Sequence, residues 1–333
     1  MKTKFHFRLA LLALGFTVGC QDDDGNYEFF PEPTSFTAVT VAQNLTKPIG
    51  LSVGTQGQLW VSESGTGQND AHISVVTATG QVYPALTGFA SVLANGTAEG
   101  ISHVLYDKGT LYVLEGGTGK LYSVDVASFQ PGDTPRTAQS LASEDIGSFV
   151  RAQRLTNPVN TNLYNLTIGP DGDLYIVDSG ANAIIKRNSR TKALSVFARI
   201  PNVTATQEAV PTGIVYDGRR FLVSTLSGGP FVTGTANIFQ VDLSGNVSVY
   251  KSGFTTLTDI ALSINLNPIV TEYGQFAFSP PPPGFVPRSG RIANAAGTTL
   301  LSTLDRPTDI ERAGVRTYYV LSNGEGTIQK LTY

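Results

Sequence analysis

The sequence predicts an all-β protein: a six-bladed β-propeller of four-stranded blades, with an N-terminal strand closing the last blade. Three observations carry this: the composition, a phrase that recurs six times, and a spare strand at one end of the chain matching a missing strand at the other. Val, Ile, Thr, Tyr and Phe come in short runs cut by Gly, Asn and Asp, as strands joined by tight turns require. No long stretch carries apolar residues at helical spacing. Glycine is abundant, at 35 of 333 residues, and charged residues make up 15%, a balance that suits buried sheet and turns.

The repeat defines the blades. Residues 165–178 read NLTIGPDGDLYIVD, an apolar strand, a Gly-centred turn and an alternating strand that ends on an acid. The phrase returns as GLSVGTQGQLWVSE at 50–63 and from Gly100 to Glu115, with looser copies starting at Gly213, Asp259 and Asp309. The starts are 50, 65, 48, 46 and 50 residues apart. A period near fifty with several short strands per unit fits a propeller blade. Blade three is expected to place its strands near 165–169, 173–178, 183–188 and 193–199, and blade four near 213–216, 220–225, 237–242 and 246–250. The last copy has strands near 308–312, 316–322 and 327–332, and then the chain ends at Tyr333. The alternating segment FTAVTVAQ at 36–43 supplies the fourth strand, and such closure protects sheet edges.

The chain before this segment carries export features. Lys2, Lys4 and Arg8 precede an apolar run from Leu9 to Val18, too short to span a membrane as a helix. The run ends Thr17-Val18-Gly19-Cys20, which resembles the lipobox of bacterial lipoproteins, with Thr17 where that pattern prefers Leu. The expected organisation is a signal peptide at 1–19, an acidic tether at 20–35 and the propeller at 36–333. Lipidation of Cys20 would hold the protein on the outer membrane without spanning it. The acids of Gln21-Asp22-Asp23-Asp24 resemble the surface-export signal of Bacteroidota lipoproteins, or serve as a solvated tether.

Composition excludes several classes. Without residues 1–19 the chain holds 20 basic against 26 acidic residues, so it lacks the basic footprint of a nucleic-acid binder. Cys20 is the only cysteine, so no internal disulfide and no cysteine nucleophile is available. The exported part has two histidines, His72 and His103, too few for a three-His zinc site. His103, on an inner strand, reads as a core residue.

Function is expected on one face. In a propeller the B–C and D–A loops share a face, and the long connections here are of those two kinds: about 147–162 with Arg151 and Arg154, 226–236 with Phe231, and about 273–289 with Tyr273, Phe276, Phe278, Phe285 and four consecutive prolines. Rigidly presented loops carry function, and these aromatics would form a lip over the central hole. Acids gather there too: Glu63, Glu115, Asp178 and Glu272 end B strands, Glu99 precedes an A strand, and Asn165, Asp259 and Asp309 begin one. Two roles compete for them, converging oxygen ligands for Ca²⁺ or Mg²⁺ on the axis and caps of turns and neighbouring blades.

The phrases PTGIVYDG at 211–218 and FLVSTLSGGPF at 221–231, with SGANAIIKR at 179–187, Leu257-Thr258-Asp259 and PTDI at 307–310, resemble the ScyD/ScyE family of secreted proteins, which is related to NHL-type propellers. That resemblance spans about 36–333 and implies the fold and an extracytoplasmic address, with no assigned chemistry. The leading expectation is therefore a membrane-anchored propeller that binds a small molecule or a protein partner on its loop-rich face without turnover. The alternative is a metal-dependent lactonase or hydrolase similar to gluconolactonase propellers. Those place an acid or amide just before the strand-A glycine, where this chain has Ile49, Glu99, Tyr164, Thr212, Thr258 and Thr308. Only Glu99 fits. Asn165, Asp259 and Asp309 stand one residue later, where regular alternation points a side chain to the other face. A quinone-dependent sugar dehydrogenase is a third class, disfavoured by the two histidines.

Overall fold

A computed structural model describes residues 30–333 apart from Asn95. The expected signal peptide, Cys20 and tether residues 21–29 lie outside the described residues. Six four-stranded antiparallel blades form, as the repeat requires. Blade three has strands A to D at Leu163–Ile168, Leu174–Asp178, Ala183–Arg187 and Leu194–Arg199. Blade four follows at Pro211–Tyr216, Phe221–Thr225, Ala236–Val241 and Val247–Phe254. The A strands of blades one, two, five and six are Pro48–Val53, Ile101–Asp107, Leu257–Leu262 and Pro307–Arg312. No helix among the described residues is long and apolar enough to cross a membrane.

Closure follows the sequence reading. The strand Thr37–Ala42 pairs antiparallel with Thr327–Thr332, from Thr37 against Thr332 to Ala42 against Ile328, so blade six takes its outer strand from the other end of the chain. The compact unit begins earlier than expected, at Glu32 and not Phe36. Pro33 is buried, Phe36 donates its N–H to the Leu300 carbonyl at 2.8 Å, and Glu32 accepts from blade five.

The core is divided into six apolar clusters, each shared by two neighbouring blades. Trp60 of blade one, 1% exposed, stacks on Tyr106 of blade two at 6.4 Å. Each such large side chain contributes about 2–3 kcal/mol by leaving water. With no disulfide possible, these seams hold the ring.

Two elements were not expected. Residues 146–153 form an eight-residue helix, α1 (Ile146–Gln153), where a loop was read. Asp145 caps it by accepting from the Ser148 N–H at 2.8 Å, and Ile146 and Val150 are buried on one face. Blade two spends its extra length differently from its neighbours: its D strand is only Ser143–Asp145, and Arg136–Thr137 instead pairs parallel beside strand D of blade one.

Candidate functional site

The A strands stand around the axis with their N-terminal ends at the loop-rich face, because each strand start pairs with the end of strand B, as Pro48 does with Glu63. Just inside that end the register slips by one residue: Leu257 pairs Glu272, but Asp259 pairs Thr271. The same bulge occurs in blades one, three, four and six. The skipped residues of blades four and five bridge to the next blade, Thr212 Oγ1 donating to the Leu257 carbonyl and Thr258 Oγ1 to the Pro307 carbonyl, each at 2.8 Å. The bulge breaks the regular alternation of side chains along the strand. Asn165, Asp259 and Asp309 therefore do line an axial chamber of about 250 Å³, together with His103 and Glu311.

Blade two enters this ring through His103, three residues beyond Gly100, where its copy of the recurring phrase starts. Its A and B strands are joined by the two-residue turn Lys108-Gly109, both at positive φ, a tight hairpin turn that shortens the copy. Glu99 is displaced as a result: it is exposed and pairs with Val92 in a small ribbon, away from the chamber. Gly50 packs against this histidine, and a Cβ there would lie 2.5 Å from His103 Cα. Gly50→Ala is expected to lower stability by about 1–3 kcal/mol through overpacking, measured by denaturant unfolding; an unchanged midpoint would mean the two blades can separate freely.

Hydrogen bonds use most of the ring's oxygens. Asn165 Nδ2 donates to Asp259 Oδ1 at 2.9 Å, and Asn165 Oδ1 accepts from the Leu166 N–H at 2.7 Å. Asp259 Oδ2 accepts from the Ile310 N–H at 3.0 Å, and Asp309 Oδ2 from the Leu51 N–H at 2.7 Å. His103 Nδ1 is 2.9 Å from the Tyr164 carbonyl, which only accepts, so this nitrogen carries the proton and Nε2 is an acceptor in the neutral ring. Burial lowers the His103 pKa to about 4, so the ring is neutral. Its Nε2 lies 3.4 Å from Asp309 Oδ2, outside a good hydrogen bond; Nε2 and Asp309 Oδ1 are buried without partners. Burial lifts the Asp259 carboxyl to about 7. Burial, then the nearby Asp259, lifts Glu311 to about 8. Asp309 is held well above the usual carboxylate range by burial and by Asp259 and Glu311. Like charges facing one chamber disfavour ionisation: Asp259 acts on Glu311 and on Asp309, and Glu311 acts on Asp309.

The acids that end B strands do a different job. Each is buried and takes the backbone N–H of the loop that leads into its own blade. Glu63 accepts from Thr46, Glu115 from Ala90 at 2.9 Å, Asp178 from Asn162 at 2.8 Å and Glu272 from Thr255 at 3.2 Å. Glu272 is also gripped by Arg291 through two bonds of 2.7 and 2.8 Å. These four hold the loop-rich face in shape and do not line the chamber. Nor do the residues present fit a preformed divalent-ion site. Asn165 Oδ1, both Asp259 oxygens and Asp309 Oδ2 are already engaged, and among the described residues no three His, Cys, Asp or Glu side chains are grouped to hold a metal ion.

The aromatic residues of the loops do come together. Phe276 pairs with Phe285 across a short ribbon in the blade-five loop, with ring centroids 5.1 Å apart. Phe231, from blade four, lies 5.1 Å from Phe276 and 5.3 Å from Phe285. Tyr273 meets Phe285 at 4.7 Å, and Phe278 meets Phe276 at 5.1 Å. Phe278 is 59% exposed and the other four rings are half-buried. Arg151 and Arg154 sit apart from this group, Arg151 inside α1 bonded to Ser148 at 3.1 Å and Arg154 closing the helix in the left-handed conformation.

These features define a six-bladed propeller with a buried acid cluster on its axis and an aromatic rim on its loop-rich face. No family model matches the chain, and no curated protein matches it in sequence. Among solved structures it is similar to a streptogramin B lyase, with 15% identity over 91% of this chain and 99% of that one and a TM-score of 0.56. It is also similar to the gluconolactonase XC5397 from Xanthomonas campestris, at 10% identity, 89% of both chains and a TM-score of 0.56. A quinone-bound aldose sugar dehydrogenase from Streptomyces coelicolor matches at 13% identity, over 91% of this chain and 99% of that one, with a TM-score of 0.56. Likeness at such identities shows the fold.

Proposed function

We propose that the chain is a lipid-anchored, extracytoplasmic propeller of the ScyD/ScyE kind that binds a ligand on the aromatic rim of its loop-rich face and does not turn it over. The observation that supports this most is the convergence of Phe231, Tyr273, Phe276, Phe278 and Phe285 from two blades into one partly exposed cluster. Rings held by one another offer flat apolar faces at little cost in side-chain freedom. The ligand such a surface recognises presents a flat apolar face of its own, from a sugar ring or an aromatic group. Calorimetry with oligosaccharides in one arm and small aromatic acids in the other separates these sources. Phe285→Ala is expected to weaken the binding arm about tenfold, or about 1.4 kcal/mol; equal binding by the variant would move the site off the rim.

A hydrolase reading draws on one feature of the chamber, the unpartnered buried His103 Nε2 and Asp309 Oδ1. Gluconolactonase and lyase activities belong to neighbours that share the fold at low identity. Incubation with a panel of lactones and esters, with and without Ca²⁺, Mg²⁺ or Zn²⁺, decides between the readings. The expected result is no turnover under any condition, and hydrolysis of any member would overturn the non-catalytic reading.

A further inference from the structure

We infer that the anchored protein holds its closed face, the one formed by the A–B and C–D turns, toward the bilayer and presents its aromatic rim to the opposite side. This rests on the proposed lipid at Cys20, but the direction comes from the fold. Thr37 opens the closing strand opposite Thr332, and Thr332 also pairs with Thr317 at the start of strand B. The chain therefore enters the propeller at the closed face and climbs toward the loop-rich face only afterwards. Phe36 fastens that entry, its ring 5.3 Å from Tyr318 and 5.8 Å from Tyr333. Glu32 fastens it again: its Oε1 accepts from Ser263 Oγ at 2.9 Å, Asn265 Nδ2 at 2.7 Å and Asn267 Nδ2 at 2.9 Å, all in the A–B turn of blade five.

The point of exit is thus fixed in the closed face at Glu32, five residues before the propeller's first strand begins at Thr37. From Cys20 to Glu32 is twelve residues, which span about 40 Å at full extension. A six-residue strand alone is about 20 Å tall, before its loops are added. Turning the rim onto the membrane would use at least half of the tether's full reach to run the height of the blade wall, whereas the opposite orientation demands nothing of it. Val315, in the A–B turn of blade six, is 39% exposed and marks this closed face. The ligand of the rim accordingly arrives from the aqueous side away from the anchoring bilayer.

The test uses the full lipidated chain in phosphatidylcholine–phosphatidylethanolamine vesicles that contain nitroxide-labelled lipid. Acylation occupies the one native thiol, so a single introduced cysteine carries the fluorophore: Val315→Cys on the closed face or Val159→Cys on the loop-rich face. The expected result is quenching at least twofold stronger at position 315 than at 159. Glu32→Ala, which lengthens the free tether, is expected to narrow that ratio without releasing the protein. Equal quenching at both positions, or stronger quenching at 159, overturns the orientation. Failure of the anchor is read separately: if intact mass shows no acyl groups on Cys20, or if Cys20→Ala floats with vesicles as the native chain does, the lipoprotein reading falls and the orientation falls with it.

Discussion

Between about pH 4 and pH 8 the propeller is expected to lose stability as the pH rises, and Glu311→Gln to recover part of the loss. The cause is the axial chamber. Asp259 and Glu311 hold their protons to about 7 and about 8, and Asp309 holds its proton well above the usual range, while in the unfolded chain all three release protons near 4. The folded state therefore binds more protons than the unfolded state throughout that window, and folding weakens as protons become scarce. Below the window the contribution is fully present; above about pH 8 the parts from Asp259 and Glu311 are gone. A carboxyl moved from 3.8 to about 7 represents about 4 kcal/mol when forced to ionise. Glu311 is only half-buried and supplies less. His72, raised by its contact with Glu63, slopes the same way, since its contribution is lost as pH rises past its folded pKa. On the acid side Glu63 and Asp217, both lowered, lose their contributions as pH falls below about 4. Melting temperatures from pH 4 to 9 check this. Glu311→Gln should melt several degrees higher than the native chain at pH 8 and at the same temperature at pH 4. A native curve that is flat from pH 5 to 9, or a variant with an unchanged slope, would show that the chamber acids ionise freely.

The second large effect is expected at the closure of the ring. A chain that begins after Ala42 lacks the outer strand of blade six and leaves strand Thr327–Thr332 as an unpaired edge. It also strips cover from the apolar cluster between blades five and six, where Phe36 packs. Because each blade is held only by its two neighbours, opening one seam weakens the whole circle, and an exposed edge invites pairing with other chains. The expected outcome is loss of a cooperative melting transition and growth of aggregates in size-exclusion chromatography. Phe36→Ala isolates the packing part. With its ring 7% exposed and two aromatic partners, the truncation should cost about 3–5 kcal/mol. A truncated chain that melts as a monomer at the native temperature would show that the outer strand is dispensable.

Much of this architecture is legible in the residues. The fifty-residue spacing, the Gly-centred turns and the alternating strands set six blades, and the spare segment at 36–43 found its partner at 327–332. That the long loops share a face was also legible, since B–C and D–A connections lie on one side of a propeller, and two of the three bring their aromatic rings together. Helix α1 was visible only in small signs, an Asp145 cap and Ile146 with Val150 four residues on, which a short amphipathic turn shares with many loops. The acids were less legible. Glu63, Glu115, Asp178 and Glu272 end strands as ligands on a propeller mouth would, but in each case the incoming loop's N–H groups need acceptors and these carboxylates meet that need. Asn165, Asp259 and Asp309 were placed both on the axis and, by alternation, away from it, and the bulge decides for the axis.

By itself, the sequence determined the fold class, the number of blades, the closing strand and the face that carries long loops, because each depends on periodicity, turn chemistry and chain order, which are local. The tertiary structure alone decided what meets on the axis. His103 reaches Asp309 across 206 residues because a two-residue turn shifts blade two, and Glu311 joins Asp259 because two A strands stand side by side. Whether a buried carboxyl serves as a cap, a ligand or a held proton depends on which donors and charges the other blades bring within a few ångströms, and that distance is set by the closing of the ring.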